Sequence, residues 1–342
     1  MTIEDIRGWI RPADESSMKQ ARVRLDRMAK LPGSLGELET AVVRLAGLQR
    51  ASQPDIRCKT AVVFCADNGV IRQGVTPSEQ KVTAAQAVNF ARGGGVVNAF
   101  ARKAGAEVLV VDVGIATPYA EPKVVRRTVR TGTGDISREP AMSREECLAA
   151  VEVGIDTALT LSRSGCRLAV AGEMGIGNTT TASAVSAVLL GRPPEEVTGR
   201  GAGGTSVVAR KTEVVRRAIE NNRPDPNDPV DILAKVGGLD IAAMCGLYLG
   251  GAAAGMAVMI DGLISSAAAL CAVRLVPGAI TALFPSHMTA EAAGPLLMRS
   301  LGLRPLIDAG LCLGEGTGGL LGALLLDSAL AAYNEVVSID DI

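Results

Sequence analysis

Four apolar runs punctuate the chain: Ala61-Val62-Val63-Phe64-Cys65, Val108-Leu109-Val110-Val111-Asp112-Val113, Leu168-Ala169-Val170-Ala171 and Met256-Ala257-Val258-Met259-Ile260. They are continuous rather than alternating, which is the pattern of strands covered on both faces, and such strands belong to a parallel sheet. Between them the apolar spacing lengthens. Leu148, Val151, Ile155 and Leu159 fall on one helical stripe within 145–164, and 179–190, 207–220 and 263–273 also predict helices. Strand and helix alternating in this way imply right-handed crossovers and an open α/β sheet. The chain ends differ. Residues 16–52 read as largely helical with one turn at Leu31-Pro32-Gly33-Ser34, and 320–337 predict a final helix. The expected architecture is an open, mainly parallel sheet domain over 56–317, with a small helical domain built from 1–55 and 318–342.

The pattern leaves one ambiguity, which composition resolves. Residues 241–260 form a run without a charge, long enough to span a bilayer, but it is dominated by Ala and Gly and closed by Asp261. A buried helix followed by a strand is the better reading, with Gly250, Gly251 and Gly255 marking a break between them. The acidic start Met1-Thr2-Ile3-Glu4-Asp5 lacks the positive charge of a signal peptide, so the expected compartment is the cytoplasm. Hydrophobic residues at 48% against 21% charged exclude disorder, and 35 basic residues against 36 acidic ones leave no field for a nucleic acid or an anionic membrane. There is one histidine, His287, so a multi-histidine metal site is excluded. Seven scattered cysteines, none in C-x-x-C spacing, read as buried thiols in a reducing compartment. No metal or other cofactor is expected.

In a doubly wound sheet, ligands bind beyond the carboxyl ends of the strands, and three loops there are unusual. Ala171-Gly172-Glu173-Met174-Gly175-Ile176-Gly177-Asn178-Thr179-Thr180-Thr181 follows a strand and opens a helix. Its glycines admit an anion to the backbone, and the free amides at the helix start with the threonine hydroxyls supply donors; the bland alternative is a tight turn capped by Asn178 or Thr179. Neither a Walker loop nor G-x-G-x-x-G is present, so a monophosphate fits better than a dinucleotide. A second turn, Thr198-Gly199-Arg200-Gly201-Ala202-Gly203-Gly204, precedes a helix carrying Lys211, and the two glycine turns with that lysine suit a phosphate clamp, where the alternative is a flexible linker. The third is Leu313-Gly314-Glu315-Gly316-Thr317-Gly318-Gly319. A carboxylate between glycines is open to a planar ligand, and partial burial raises its basicity; the alternative is an acid set against a helix dipole. His287, in Ser286-His287-Met288-Thr289, reads as structural because no Cys or Asp motif accompanies it. Asp67 and Asp112 end strands and read as turn caps.

These loops, together with Leu31-Pro32-Gly33-Ser34-Leu35-Gly36, Ala66-Asp67-Asn68-Gly69-Val70, Val82-Thr83-Ala84-Ala85-Gln86 with Asn89-Phe90, and Val111-Asp112-Val113-Gly114, resemble the nicotinate-nucleotide–dimethylbenzimidazole phosphoribosyltransferase family. The resemblance covers nearly the whole chain. It implies a Rossmann-like sheet with a small helical domain, and transfer of phosphoribose from nicotinate mononucleotide to a benzimidazole-type base in cobamide nucleotide-loop assembly. The products are an α-ribazole phosphate and nicotinate, with inversion at the anomeric carbon. By the same resemblance Glu315 is the general base and Glu173 a second carboxylate near the ribose. Gly175, Ile176, Gly177, Asn178, Thr179, Gly203 and Lys211 match the nucleotide region, with Ser286 and Thr289 beside it. Ser78, Gln86 and Leu313 match the base pocket. The partners implied are the nucleotide, an aromatic base and a second copy of the chain in a homodimer, or a paralogue in a heterodimer.

Two positions depart from the family pattern: Asn68 stands where many relatives have His, and Glu79 where they have Pro. The lower base therefore remains open among benzimidazoles, purines and phenols. A dinucleotide-dependent oxidoreductase is disfavoured, because Asp67-Asn68-Gly69-Val70 does not supply G-x-G-x-x-G after the first strand. A non-catalytic nucleotide-binding subunit is the reading from another class, and Glu315 argues against it.

Overall fold

The apolar runs form the middle of a six-stranded sheet in the computed structural model, which describes residues 1–342 other than Ala202. The strands are β1 (Lys59–Ala66), β2 (Ala106–Gly114), β3 (Val125–Arg126), β4 (Leu168–Met174), β5 (Ala257–Ile260) and β6 (Leu283–Pro285). Their order is β3-β2-β1-β4-β5-β6, with every neighbouring pair parallel. All of β1 is buried, which is why its sequence does not alternate. The winding reverses between β1 and β4, so a crevice opens at their carboxyl ends, where open α/β sheets bind ligands. The edge strands β3 and β6 are only two and three residues long, too short for a periodic pattern to reveal.

Helices lie where the spacing places them: Arg144–Arg163, Asn178–Leu190, Val208–Asn222 and Leu263–Leu275. Residues 241–260 divide into the buried helix Leu239–Ala254 and β5. Only Gly255, with φ +64°, ends that helix; Gly250 and Gly251 lie inside it and mark no break. They and their neighbours serve close packing instead. A Cβ on Gly246 would stand 1.9 Å from the Val151 carbonyl oxygen, and one on Gly154 1.9 Å from that of Ala243, so the helices Arg144–Arg163 and Leu239–Ala254 meet backbone against backbone. Gly154→Ala is therefore expected to cost about 3 kcal/mol of stability, read as a lower urea midpoint at unchanged slope. Gly8→Ala, at a site with no atom within 4 Å of the added carbon, is the control and should shift it little. Among the described residues no helix is long and apolar enough to cross a membrane.

The N-terminal helices Glu15–Arg27 and Glu37–Gln49 pack on each other, and both chain ends meet at the last helix, Thr317–Glu335. Arg24 donates from Nε to the Tyr333 carbonyl at 2.7 Å and lies over the Tyr333 ring, while the Ala29 amide donates to the Val337 carbonyl at 2.9 Å. Arg44 anchors the second helix to the sheet edge by donating to the carbonyls of Ile280 and Leu283 at 2.9 and 2.7 Å. The last helix is shared between layers. Its first turns press on the sheet, where a Cβ at Gly319 would lie 2.3 Å from Val170 Cγ1 and one at Gly322 2.6 Å from Ser286 Cβ. The glycines of 314–322 thus let a helix start directly against β4, β5 and β6, and that sets where Glu315 stands.

Candidate active site

Four strand ends converge on the crevice and bring Asn68 after β1, Glu173 in β4, Asp261 after β5 and His287 after β6. Asn68 lies at its floor, between Gly175 and Gly238. A Cβ on Gly175 would come within 3 Å of the Ala66 carbonyl oxygen, Asn68 Nδ2 and Asp240 Oδ2, so only glycine passes there. Gly177, with φ +97°, then turns the chain into the helix Asn178–Leu190. The first residue of that helix bridges two acids: Asn178 Nδ2 donates to Glu173 Oε2 and, at 3.0 Å, to Asp240 Oδ2. Asp240 is fully buried near the start of the helix Leu239–Ala254, and its Oδ1 accepts the Ile241 amide at 3.0 Å. Burial pushes Asp240 up to about 6. Burial, with the Asp240 charge adding to it, pushes Glu173 up to about 8.

A basic end adjoins this acidic centre. Lys211, on the helix Val208–Asn222 and only 1% exposed, donates from Nζ to Thr179 Oγ1 at 2.8 Å. Burial lowers its pKa to about 8, and the Glu291 charge works the other way. Glu291 Oε1 accepts the Gly201 amide at 3.0 Å and so holds the second glycine turn over the lysine. A Cβ on Gly201 would lie 2.9 Å from Lys211 Nζ. Gly201 stands beside the lysine, and Gly203 packs on Val207.

The third loop presents Glu315 in an unusual backbone state. Gly314, Glu315 and Gly316 have φ of +84°, +63° and +87°, and Glu315 is one of three non-glycine residues with positive φ among those described. The left-handed state costs a residue bearing a Cβ roughly 1 kcal/mol, which the surroundings must repay. Gly172 makes room, since a Cβ there would meet the Glu315 carbonyl oxygen at 2.6 Å. The Glu315 amide points at Glu173 Oε1, 3.5 Å away, so the two acids occupy one neighbourhood. Burial raises the Glu315 pKa, the Val97 amide opposes this, and the charge of Asp261 adds to the rise.

A cleft enclosing about 40 Å³ lies here, lined among others by Glu173, Thr179, His287, Thr289, Glu291 and Leu313, while Lys211 and Glu315 are not among its lining residues. Larger depressions of about 500 and 580 Å³ lie against the N-terminal helices and contain none of Glu173, Lys211 or Glu315. Ser78 and Gln86 stand outside the cleft, respectively before and within the helix Lys81–Ala91, whose Thr83 hydroxyl accepts the Ile176 amide at 3.2 Å. Ser286 is buried with its hydroxyl donated to the Ile260 carbonyl, and it also contacts His287 Nδ1. His287 does have an aspartate neighbour: Asp261, just after β5, lies on the other side of Gly318, where an added Cβ would stand 2.1 Å from the His287 ring and 2.9 Å from Asp261 Oδ1. That pairing, and the roles of Asp240 and Glu291, escape a reading of single loops. Asp261 was nevertheless findable, because it ends an apolar run as Asp67 and Asp112 do. Asp112 is the cap anticipated, its Oδ1 accepting the amides of Gly114 and Ile115.

Known proteins are similar to nearly the whole chain. Residues 10–342 match the DBI_PRT family, described as phosphoribosyltransferase. A nicotinate-nucleotide–dimethylbenzimidazole phosphoribosyltransferase of Ruminiclostridium cellulolyticum is 42% identical over 342 residues, covering 100% of this chain and 97% of the relative. One of Salinispora tropica is 44% identical, covering 99% and 98%. The crystal structure of the enzyme so named from Thermus thermophilus superposes with a TM-score of 0.90 at 40% identity, covering 96% of this chain and 98% of that one. A second from the same organism, named CobT, gives 0.91 at 40% identity, covering 95% and 98%. The chain belongs to the nicotinate-nucleotide–dimethylbenzimidazole phosphoribosyltransferase family.

Proposed function

We propose that the chain moves the 5-phosphoribosyl group of nicotinate mononucleotide to a ring nitrogen of an aromatic base of the dimethylbenzimidazole type, releasing nicotinate. The observation that carries this is the approach of the Glu315 amide to the buried Glu173 carboxyl at the end of β4, 3.5 Å away, one helical start from the buried Lys211–Thr179 pair. Lysine has three donors and Thr179 takes one, so the others, with the amides at the start of Asn178–Leu190, receive the phosphate. That places the ribose beside Glu173. Protonated there at neutral pH, Glu173 is drawn toward its ionised form by the positive pyridinium, and it then stabilises the charge that develops on the anomeric carbon. The carbon–nitrogen bond breaks with its electron pair returning to the pyridinium nitrogen, so nicotinate needs no acid to leave. The incoming ring nitrogen bonds to the same carbon, and the proton that the new azolium must lose goes to Glu315.

The test is incubation of the purified protein with nicotinate mononucleotide and a panel of benzimidazole, purine and phenol acceptors, following nicotinate release. Release that depends on an acceptor is expected. No release with any acceptor would favour a nucleotide-binding subunit instead.

A further inference from the structure

Behind Glu315 sits a second acid that no loop motif announces. Asp261 follows β5 and is 4% exposed. Its Oδ2 accepts the Gly316 amide at 3.1 Å and its Oδ1 the Gly319 amide at 2.9 Å. It therefore grips the start of the helix Thr317–Glu335 on the residues immediately after Glu315. Burial raises the Asp261 pKa, and the His287 charge and the amides at this helix start oppose the rise. The grip has no room for error: a Cβ on Gly318 would lie 2.9 Å from Asp261 Oδ1 and 2.1 Å from the ring of His287, which closes the other side. A left-handed glutamate between two left-handed glycines has no preference of its own for this shape, so something outside the loop must hold it. Thr317, donating to the Gly314 carbonyl at 2.8 Å, ties the loop only to itself.

We infer that Asp261 is the positioning residue for Glu315, fixing the left-handed turn that aims its carboxyl and keeping a negative charge beside it. This rests on the reading of Glu315 as the proton acceptor. The charged and titratable groups around the pair are Glu173 from β4, with Asp240 behind it, and His287 after β6, on which the Asp308 charge acts. The Val97 amide faces Glu315 from the helix Val96–Ala104. Of these, Asp261 is the carboxylate whose charge raises the Glu315 pKa, so removing it moves that pKa down.

The experiment compares Asp261→Asn, Asp261→Ser and Glu315→Gln in the full chain, by kcat against pH at saturating substrates together with thermal unfolding. Asparagine keeps the size but one acceptor, and serine keeps a helix-capping oxygen without charge, so the second variant keeps the test open if the first does not fold. For a folded Asp261 variant, kcat is expected to fall about 10- to 100-fold with KM for the nucleotide within about 3-fold, and the acid limb should move to lower pH. On a Glu315→Gln background the same substitution should add little, because it acts through that residue. An unmoved acid limb, or an activity loss that only follows the loss of folded protein, would reduce Asp261 to a helix cap. Full activity of Glu315→Gln alone would instead remove the base reading, a separate outcome.

Discussion

Glu315→Gln is expected to lower kcat by roughly two to four orders of magnitude while the KM for nicotinate mononucleotide changes little. Glutamine has the same length and shape, and its backbone cost in the left-handed state is that of glutamate, so the turn held by Gly172 and Asp261 remains. What disappears is the ability to take a proton. Burial raises the pKa of Glu315, which makes it a better acceptor than an exposed glutamate and sets the direction of the pH dependence. The ionised form is the active one, so activity falls as pH drops through that raised pKa, and in the variant this part of the acid limb vanishes and leaves only the rise that Glu173 contributes. Initial rates of nicotinate release between about pH 5 and pH 9 measure both. A variant with near-full turnover would show that water or another group removes the proton.

The legible part of the molecule follows from which interactions are local. β1, β2, β4 and β5 were readable because burial on both faces writes itself into consecutive residues, whereas β3 and β6 are defined only by neighbours distant in sequence. The glycine loops were readable as chemistry because a helix start needs one capping residue, and these segments carry far more glycine and threonine than that. Gly250 misled for the opposite reason: its lack of a side chain serves Ile155 and Ala158 on another helix, and nothing near it in sequence says so. The buried acids divide in the same way. Glu173 and Glu315 announce themselves through flanking glycines. Asp240, Asp261 and Glu291 acquire meaning only when Asn178, Gly316 and Gly201 arrive from 62, 55 and 90 positions away. The lone histidine shows the limit most sharply, since its aspartate neighbour comes from a different strand.

The second large effect belongs to Lys211. Lys211→Met removes a buried, charge-assisted donor from the phosphate, a loss of about 3 kcal/mol, and kcat/KM for the nucleotide should fall roughly a hundredfold or more. Methionine fills much the same volume, so Thr179 loses its partner without a cavity opening. The pH profile separates this role from packing. Burial holds the lysine near 8 in the free protein, so the wild-type kcat/KM declines above that pH as the ammonium is lost. Glu173 titrates in the same region, but its ionisation works in the opposite direction by improving the pocket for a cationic nucleotide. Removing Lys211 should therefore abolish the alkaline decline and leave the rising effect of Glu173 exposed. Lys211→Arg, whose guanidinium keeps its proton throughout this range, should also lose the decline while retaining more activity than the methionine variant. If the alkaline limb persists in both, the phosphate is held by the helix amides and the threonines without the lysine charge.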